Sequence, residues 1–320
     1  MKRLLVALVL FAAAAALLWQ PVHADTANDG PRYTADGKLL APTNYRDWVF
    51  LTSGFGMNYS TGPSSMKMFT NVFVNPSSYR EFMRTGHWPD KTIWVVELYW
   101  PVSHGSINKQ GQYQDAPMGL DVEVKDSSRP RSWQYYFVGL DDTAVEETAG
   151  ATGCLRCHSS NGAVENTFVQ FYPTLLDVAV KKGTLNSGYV APLNVTRFYD
   201  TIVSEGWERA QAAYAADKKL NPESEFLDVQ KLSDLGQRLM NNGRKTEAVA
   251  LAELTAREYP RSATAQASLA DAYSQSGQKE KSIAALKQAL AVLPNDSSLS
   301  AEERKAWEQE GRRRLAELNK

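Results

Sequence analysis

Cys154-Leu155-Arg156-Cys157-His158 holds both cysteines of a 320-residue chain. Two thiols three residues apart with a histidine directly after them form the attachment signature of c-type haem. Each thiol can close a thioether on one porphyrin vinyl group, and the imidazole supplies an axial nitrogen to iron. A single tight turn is expected to present both sulfurs to one haem edge. A zinc half-site shares the C-x-x-C spacing, but no second Cys or His pair follows at finger distance. A thioredoxin-like dithiol needs a βαβ setting, which the surrounding pattern lacks. Cys154 and Cys157 are therefore the candidate covalent anchors of one haem c, and His158 its candidate iron ligand.

The N-terminus supplies a compartment. Met1-Lys2-Arg3 is basic, Leu4 to Leu18 is apolar and Ala-rich, and Val22-His23-Ala24 ends on a small residue before Asp25. That order is a secretory leader over residues 1–24, cut after Ala24. The apolar run is short for a membrane span. Haem attachment to such motifs outside the bacterial cytoplasm fits the leader, so a soluble periplasmic protein is expected. Loss of Lys2 and Arg3 takes the formal charge from −1 to −3. No basic patch points to nucleic acid.

Composition divides the remainder. Trp48, Trp88, Trp94, Trp100 and Trp133 lie in the first two hundred residues, whereas the last hundred are rich in Ala, Leu, Glu and Lys. Residues 25–40 read as extended. Thr43 or Asn44 can cap a short helix through Trp48, and the Gly-, Ser-, Met- and Pro-rich stretch 52–68 reads as a loop. Asn71–Asn75, Thr92–Tyr99, Gly119–Lys125 and Trp133–Val138 are β-branched and aromatic, hence strands. Asn75-Pro76 opens a helix to Arg84 that stops at Gly86, and a second helix runs from Phe168 to Lys182. The expectation is an α+β protein: an antiparallel-sheet haem domain over residues 41–200, followed by an all-α module.

Several separated segments share their order with one family. Asn44-Tyr45-Arg46-Asp47-Trp48, Asn71–Asn75 with Tyr79, Trp88-Pro89-Asp90 with the strand to Leu98, and the haem motif followed by Asn166–Pro173 together resemble the cytochrome P-460 family, which includes the cytochromes c′-beta. The resemblance implies a sheet-based domain, often a homodimer, with a five-coordinate haem whose axial ligand here is His158. It also implies a division at one strand. Members that oxidise hydroxylamine carry a lysine that crosslinks to the haem edge; aligning Asp90–Glu97 puts Val96 there. Thr70 stands where a lysine-bearing member has arginine, and Lys91 reads as solvated. The c′-beta branch, which places apolar bulk over the iron and binds small gases, is the expected one.

If Val96 faces the haem, period-two alternation puts Trp94 and Leu98 beside it. Val96, Trp94, Leu98 and Thr70 are thus the candidate distal pocket, expected to be apolar and without an acid–base group. Glu165 reads as a solvated loop carboxylate. His87, His104, Met57, Met66, Met68, Met83 and Met118 are the residues able to supply a sixth iron ligand.

In the last third, Leu235 and Leu269, Gly243 and Gly277, and Pro260 and Pro294 each recur 34 residues apart. This is the period of tetratricopeptide repeats. The second copy also places Ala270, Tyr273, Leu286 and Ala289 at packing positions, while the first keeps Gly236 and Leu239. The module is read as a helical linker at 201–228, two repeats at 229–296 and a capping helix at 297–320 opened by a Ser300/Glu303 capping box.

The functional expectation is a periplasmic monohaem c-type cytochrome that binds NO or CO, or handles nitrogen-oxide redox chemistry. A periplasmic redox partner and a protein or peptide partner for the repeats would accompany it. A six-coordinate electron carrier and a hydroxylamine-oxidising enzyme are the alternatives.

Overall fold

The computed structural model describes residues 28–57, 59, 66–222 and 224–319. The expected leader lies outside the described residues. The chain forms two compact units, Met1–Val190 and Ala191–Lys320.

The first unit is built on an antiparallel meander of five strands. β1 (Leu39–Leu40) lies outside it, pairing with the late strand Ala144–Val145. β2 (Val49–Phe55), β3 (Phe69–Val74), β4 (Thr92–Val102), β5 (Tyr113–Lys125) and β6 (Trp133–Val138) follow in spatial order. β7 is Ala144–Val145. The long apolar run of β4 reflects a strand covered on both faces. One face carries Ile93 and Val95 into a core with Val122, Val124, Tyr136, Val138, Leu39 and Tyr45. The other carries Trp94, whose ring meets Trp88 at 4.7 Å and Tyr172 at 5.1 Å.

Stretch 52–68 departs from the expected loop, because it begins with edge strand β2 paired to β3. Gly54 hid the strand. A Cβ there would meet Met57 Sδ at 2.6 Å and Thr70 Oγ1 at 2.8 Å, so glycine is required by close approach across the ladder. β4 also extends past Tyr99 through Pro101. Its pairing with β3 stops at Tyr99, so the proline interrupts no ladder bond on that side.

α1 (Pro76–Thr85) has the expected start and stop, but its cap works differently. The Asn75 side chain turns inward, accepting from Ile93 N at 3.0 Å. Asp29 caps the helix instead, accepting from Ser77 N at 2.7 Å, where an anion also complements the helix dipole. α2 (Ala151–Asn161) is a helix where a tight turn was expected, and it carries the cysteines. The segment after it is not one helix. A 3-10 turn, Val169–Phe171, precedes α3 (Pro173–Lys182), because Pro173 favours a first-turn position and cannot continue a helix already begun.

The second unit is helical. α4 (Val195–Glu205) and α5 (Trp207–Leu220) are split at Gly206. Then come α6 (Val229–Asn241), α7 (Lys245–Glu258), α8 (Ala263–Gln275) and α9 (Lys279–Val292). Every bound of α8 and α9 lies 34 residues after its counterpart in α6 and α7. The stretch 201–228, read as a helical linker, packs into the unit: Ile202, Ala210, Tyr214 and Leu227 share a core with Leu232, Leu235, Leu239 and Leu251. This extra hairpin supplies the third layer that two repeats alone would lack. α10 (Ala301–Leu318) closes the stack, with both bonds of the Ser300/Glu303 capping box formed.

Candidate functional site

Helical spacing brings the motif residues together. Positions 154, 157 and 158 are i, i+3 and i+4 of α2, so both thiols and the imidazole share one stripe. Cys157 is exposed and Cys154 half-buried. His158 Nδ1 donates to the Asn166 carbonyl at 2.9 Å. That bond fixes the tautomer and leaves Nε2 with the lone pair a metal needs. Burial holds the imidazole below its ordinary pKa, against the opposing pull of the Asn166 bond, which favours the neutral ligand form.

The carbonyl is itself positioned. The loop Gly162–Thr167 is clamped by Asn186, whose Nδ2 donates to Gly162 O at 2.8 Å and to Glu165 O at 2.6 Å. Asn186 Oδ1 accepts from Glu165 N at 2.9 Å. A Cβ on Gly162 would stand 2.8 Å from His158 O and 2.9 Å from Thr167 N, so the helix can leave for this loop only through glycine. Glu165 is not solvated as expected. Its carboxylate accepts from Lys125 Nζ at 2.7 Å and from Trp88 N at 3.2 Å, tying the loop to the sheet. Lys91 likewise is not a free surface cation. It pairs with the buried Asp126, which also accepts from Tyr33 and Ser128.

Opposite His158 stands the face of the sheet that carries the even-numbered residues of β4. Register pairs Thr70 with Leu98, Val72 with Val96 and Val74 with Trp94. It then pairs Trp94 with Glu123 and Val96 with Asp121, and Glu123 with Tyr135. Directly paired residues project to one side, so Val96, Trp94, Leu98 and Thr70 do share a face. His158 meets it through Glu123, with Nε2 3.6 Å from Glu123 Oε1, and through the Tyr135 ring at 4.8 Å. The Phe168 ring packs on His158 at 4.3 Å, and Tyr59 stacks on Phe168.

The expected apolar surface without acid–base groups is thereby corrected. Two carboxylates, Asp121 and Glu123, belong to this face. Burial, reinforced by the charge of Asp121, pushes Glu123 up to about 8. Gly119–Lys125 was legible as a strand, but its alternation reads equally well as acids turned to solvent. Only the β4–β5 register turns Glu123 toward His158, while Asp121 shares the face but is exposed. Trp94 Nε1 and Tyr135 OH, both buried on this face, have no hydrogen-bond partner among the described residues.

Haem fits these residues: two thiols and a lone-pair nitrogen share one helical stripe, facing unsatisfied buried donors. No group of three or more His, Cys, Asp or Glu side chains converges among the described residues, so the cysteine pair lacks the further ligands of a zinc site. Of the sixth-ligand candidates, His87 lies beside Glu165 and Met57 Sδ accepts from Tyr59 OH at 4.0 Å.

Among known proteins, the crystal structure of PcrH from Pseudomonas aeruginosa is similar at 14% identity. It covers 39% of this chain and 92% of that one, with a TM-score of 0.27. YrrB, described as a TPR protein with an unusual peptide-binding site, is similar at 21% identity over 41% of this chain and 63% of its own, with a TM-score of 0.24. No curated protein matches. Residues 42–169, which span the five-stranded sheet and the motif Cys154–His158, match the model of the cytochrome P460 family.

Proposed function

We propose that this chain is a periplasmic monohaem c-type cytochrome that carries out redox chemistry on small nitrogen oxides at an open iron position. Cys154 and Cys157 would hold the haem through thioethers, and His158 Nε2 would supply a nitrogen ligand to its iron. The observation that carries the proposal is the orientation of His158. Its Nδ1 is committed to Asn166 and its Nε2 points at a sheet face bearing carboxylates and unpaired donors. When bound, haem iron supplies electron transfer and a binding position for a small ligand.

Glu123 favours redox handling over simple gas storage. Storage of NO or CO needs only apolar bulk, which Val96 and Leu98 supply. Interconverting nitrogen oxides moves protons with electrons, and a carboxylate 3.6 Å from His158 Nε2 is placed to hold or pass one. Val96 has no amine, so this domain keeps a haem with two thioethers and no third link. The helical unit is a surface for a protein partner. Its groove of about 240 Å³ is lined by Ser233, Gln237, Ser268, Gln275 and Trp307. A homodimer through the sheet unit accompanies the family resemblance.

Absorption spectra test the reading. A high-spin ferric form and a ferrous form that binds CO are expected. Low-spin spectra in both states would instead assign a six-coordinate electron carrier, with Met57 the methionine to replace first. Glu123→Gln should keep CO binding while slowing nitrogen-oxide turnover at least tenfold, the lower range of acid–base assistance at roughly 10²–10⁴ discounted for water access.

A further inference from the structure

Val164–Thr167 is a two-residue hairpin turn. Thr167 N donates to Val164 O at 3.0 Å, and the two residues bridge in antiparallel fashion. The first central residue, Glu165, has φ 51°, in the left-handed region, and the second, Asn166, does not share the positive φ. A hairpin turn that is left-handed at its first central position alone is the pattern glycine serves, because a Cβ there is strained. A glutamate in that place persists only where its surroundings hold it.

Its surroundings do hold it. The carboxylate accepts from Lys125 Nζ at 2.7 Å and from Trp88 N at 3.2 Å, with His87 Nδ1 at 3.7 Å. The main chain of Glu165 is bonded on both sides by the Asn186 amide. Lys125 ends β5 and donates also to Trp88 O at 2.6 Å, so the tie runs into the sheet. Lys125 and Glu165 are 23% and 24% exposed, which shields their pairing from the screening that weakens surface ion pairs.

The turn bears on the proposed iron ligand at one atom. The Asn166 carbonyl accepts from His158 Nδ1 at 2.9 Å, and such a bond raises the basicity of the other ring nitrogen. On the far side of that carbonyl, Thr167 is 1% exposed, and its Oγ1 accepts from the Trp88 indole at 3.0 Å and donates to Val164 O at 2.8 Å. With Thr167 held at one end and Glu165 at the other, the carbonyl between them has a fixed aim. Of the left-handed non-glycine residues described, Lys91, Ser106 and Glu165, only Glu165 adjoins a residue bonded to His158.

We infer that Glu165 is a positioning residue for His158. Its carboxylate, anchored on Lys125, keeps a strained turn in the shape that aims the Asn166 carbonyl at Nδ1. Through that bond it sets how strongly Nε2 donates to iron, and with it the reduction potential. The inference rests on the proposed haem reading and adds a residue outside the motif that tunes it.

The test uses the full-length haem-loaded protein. It reads the reduction potential and, in the ferrous form, the iron–histidine stretch by Raman scattering. Glycine suits the left-handed place, so Glu165→Gly removes the tie without straining the turn. This variant should raise the potential and lower the stretch, because a looser Nδ1 bond leaves Nε2 a weaker donor. Lys125→Met should shift both readings the same way, and Lys125→Arg, which keeps the cation, should leave them near those of the unaltered protein. If Glu165→Gly takes up no haem, the two Lys125 variants decide by the same readings. A merely structural glutamate would change only the unfolding midpoint. Both readings unmoved, in variants that hold haem, overturn the inference and leave the haem reading intact. Absence of histidine ligation in the unaltered protein overturns both.

Discussion

The sheet unit and the helical unit each bury an apolar surface, yet they treat buried polar groups differently. In the helical unit, Thr255 Oγ1 donates to Leu251 O and Ser282 Oγ to Ala270 O, so these two buried hydroxyls are returned to nearby carbonyls. In the sheet unit, one face satisfies its buried carboxylate the same way. Glu97 there accepts from Tyr45 at 2.6 Å, Arg46 at 2.7 Å and Asn71 at 3.0 Å. The opposite face leaves Trp94 and Tyr135 without partners beside His158. The Glu97 side too leaves Gln134 Oε1 without a partner among the described residues, so what distinguishes the second side is that its unpaired Tyr135 hydroxyl belongs to a ring packed on His158.

Four substitutions sharpen this comparison, the first three in falling order of effect. Leu235→Ala empties a side chain 1% exposed in the helical core and should destabilise that unit by about 3–4 kcal/mol, read as a lowered midpoint in urea. If the units differ as described, a chain ending at Val190 should still take up haem and bind CO. Loss of haem from that shortened chain would break the comparison.

Asp126→Asn comes next. The wild-type carboxylate is fully buried. Burial raises its pKa, but the bonds from Lys91, Ser128 and Tyr33 outweigh this and hold it at about 2. A folded pKa below the unfolded value contributes stability above roughly pH 4, and this is lost as pH falls toward 2. The substitution should cost about 2 kcal/mol at neutral pH, a value reduced because Lys91 is half-exposed, and nearly nothing at pH 2. Equal destabilisation at both pH values, followed by circular dichroism, would contradict the ion-pair account.

Ser300→Ala removes the capping box of α10 and should cost about 1 kcal/mol without any change in the haem spectrum. Asn186→Ala has the opposite profile. It should barely alter stability of the helical unit but should shift the haem reduction potential by loosening the loop that holds Asn166.

Legibility followed the range of the interactions involved. The 34-residue period placed all four repeat helices, because each hairpin repeats the same local packing. The first-turn proline and stop of α1 and the αL glycine after α3 were equally local, whereas the cap of α1 came from distant Asp29. The cysteines and His158 were legible as a motif, although their helical setting was not. Glu123 and Tyr135 were missed for a physical reason. Their side is fixed by β4–β5–β6 register, and alternation within one strand cannot say which face is solvent. β2 was missed because Gly54 and Gly56 carry loop propensity, while Gly54 makes room for the side chains of Met57 and Thr70.

Covalent haem at one motif is the central claim, and peptide mass spectrometry after proteolysis reads it directly. One haem mass is predicted on the peptide containing Cys154 and Cys157, with none joined to the Thr92–Leu98 peptide that carries Val96. Cys154→Ser with Cys157→Ser should abolish that adduct. Haem retained covalently in the double variant, or a haem mass on the Val96 peptide, would contradict the account.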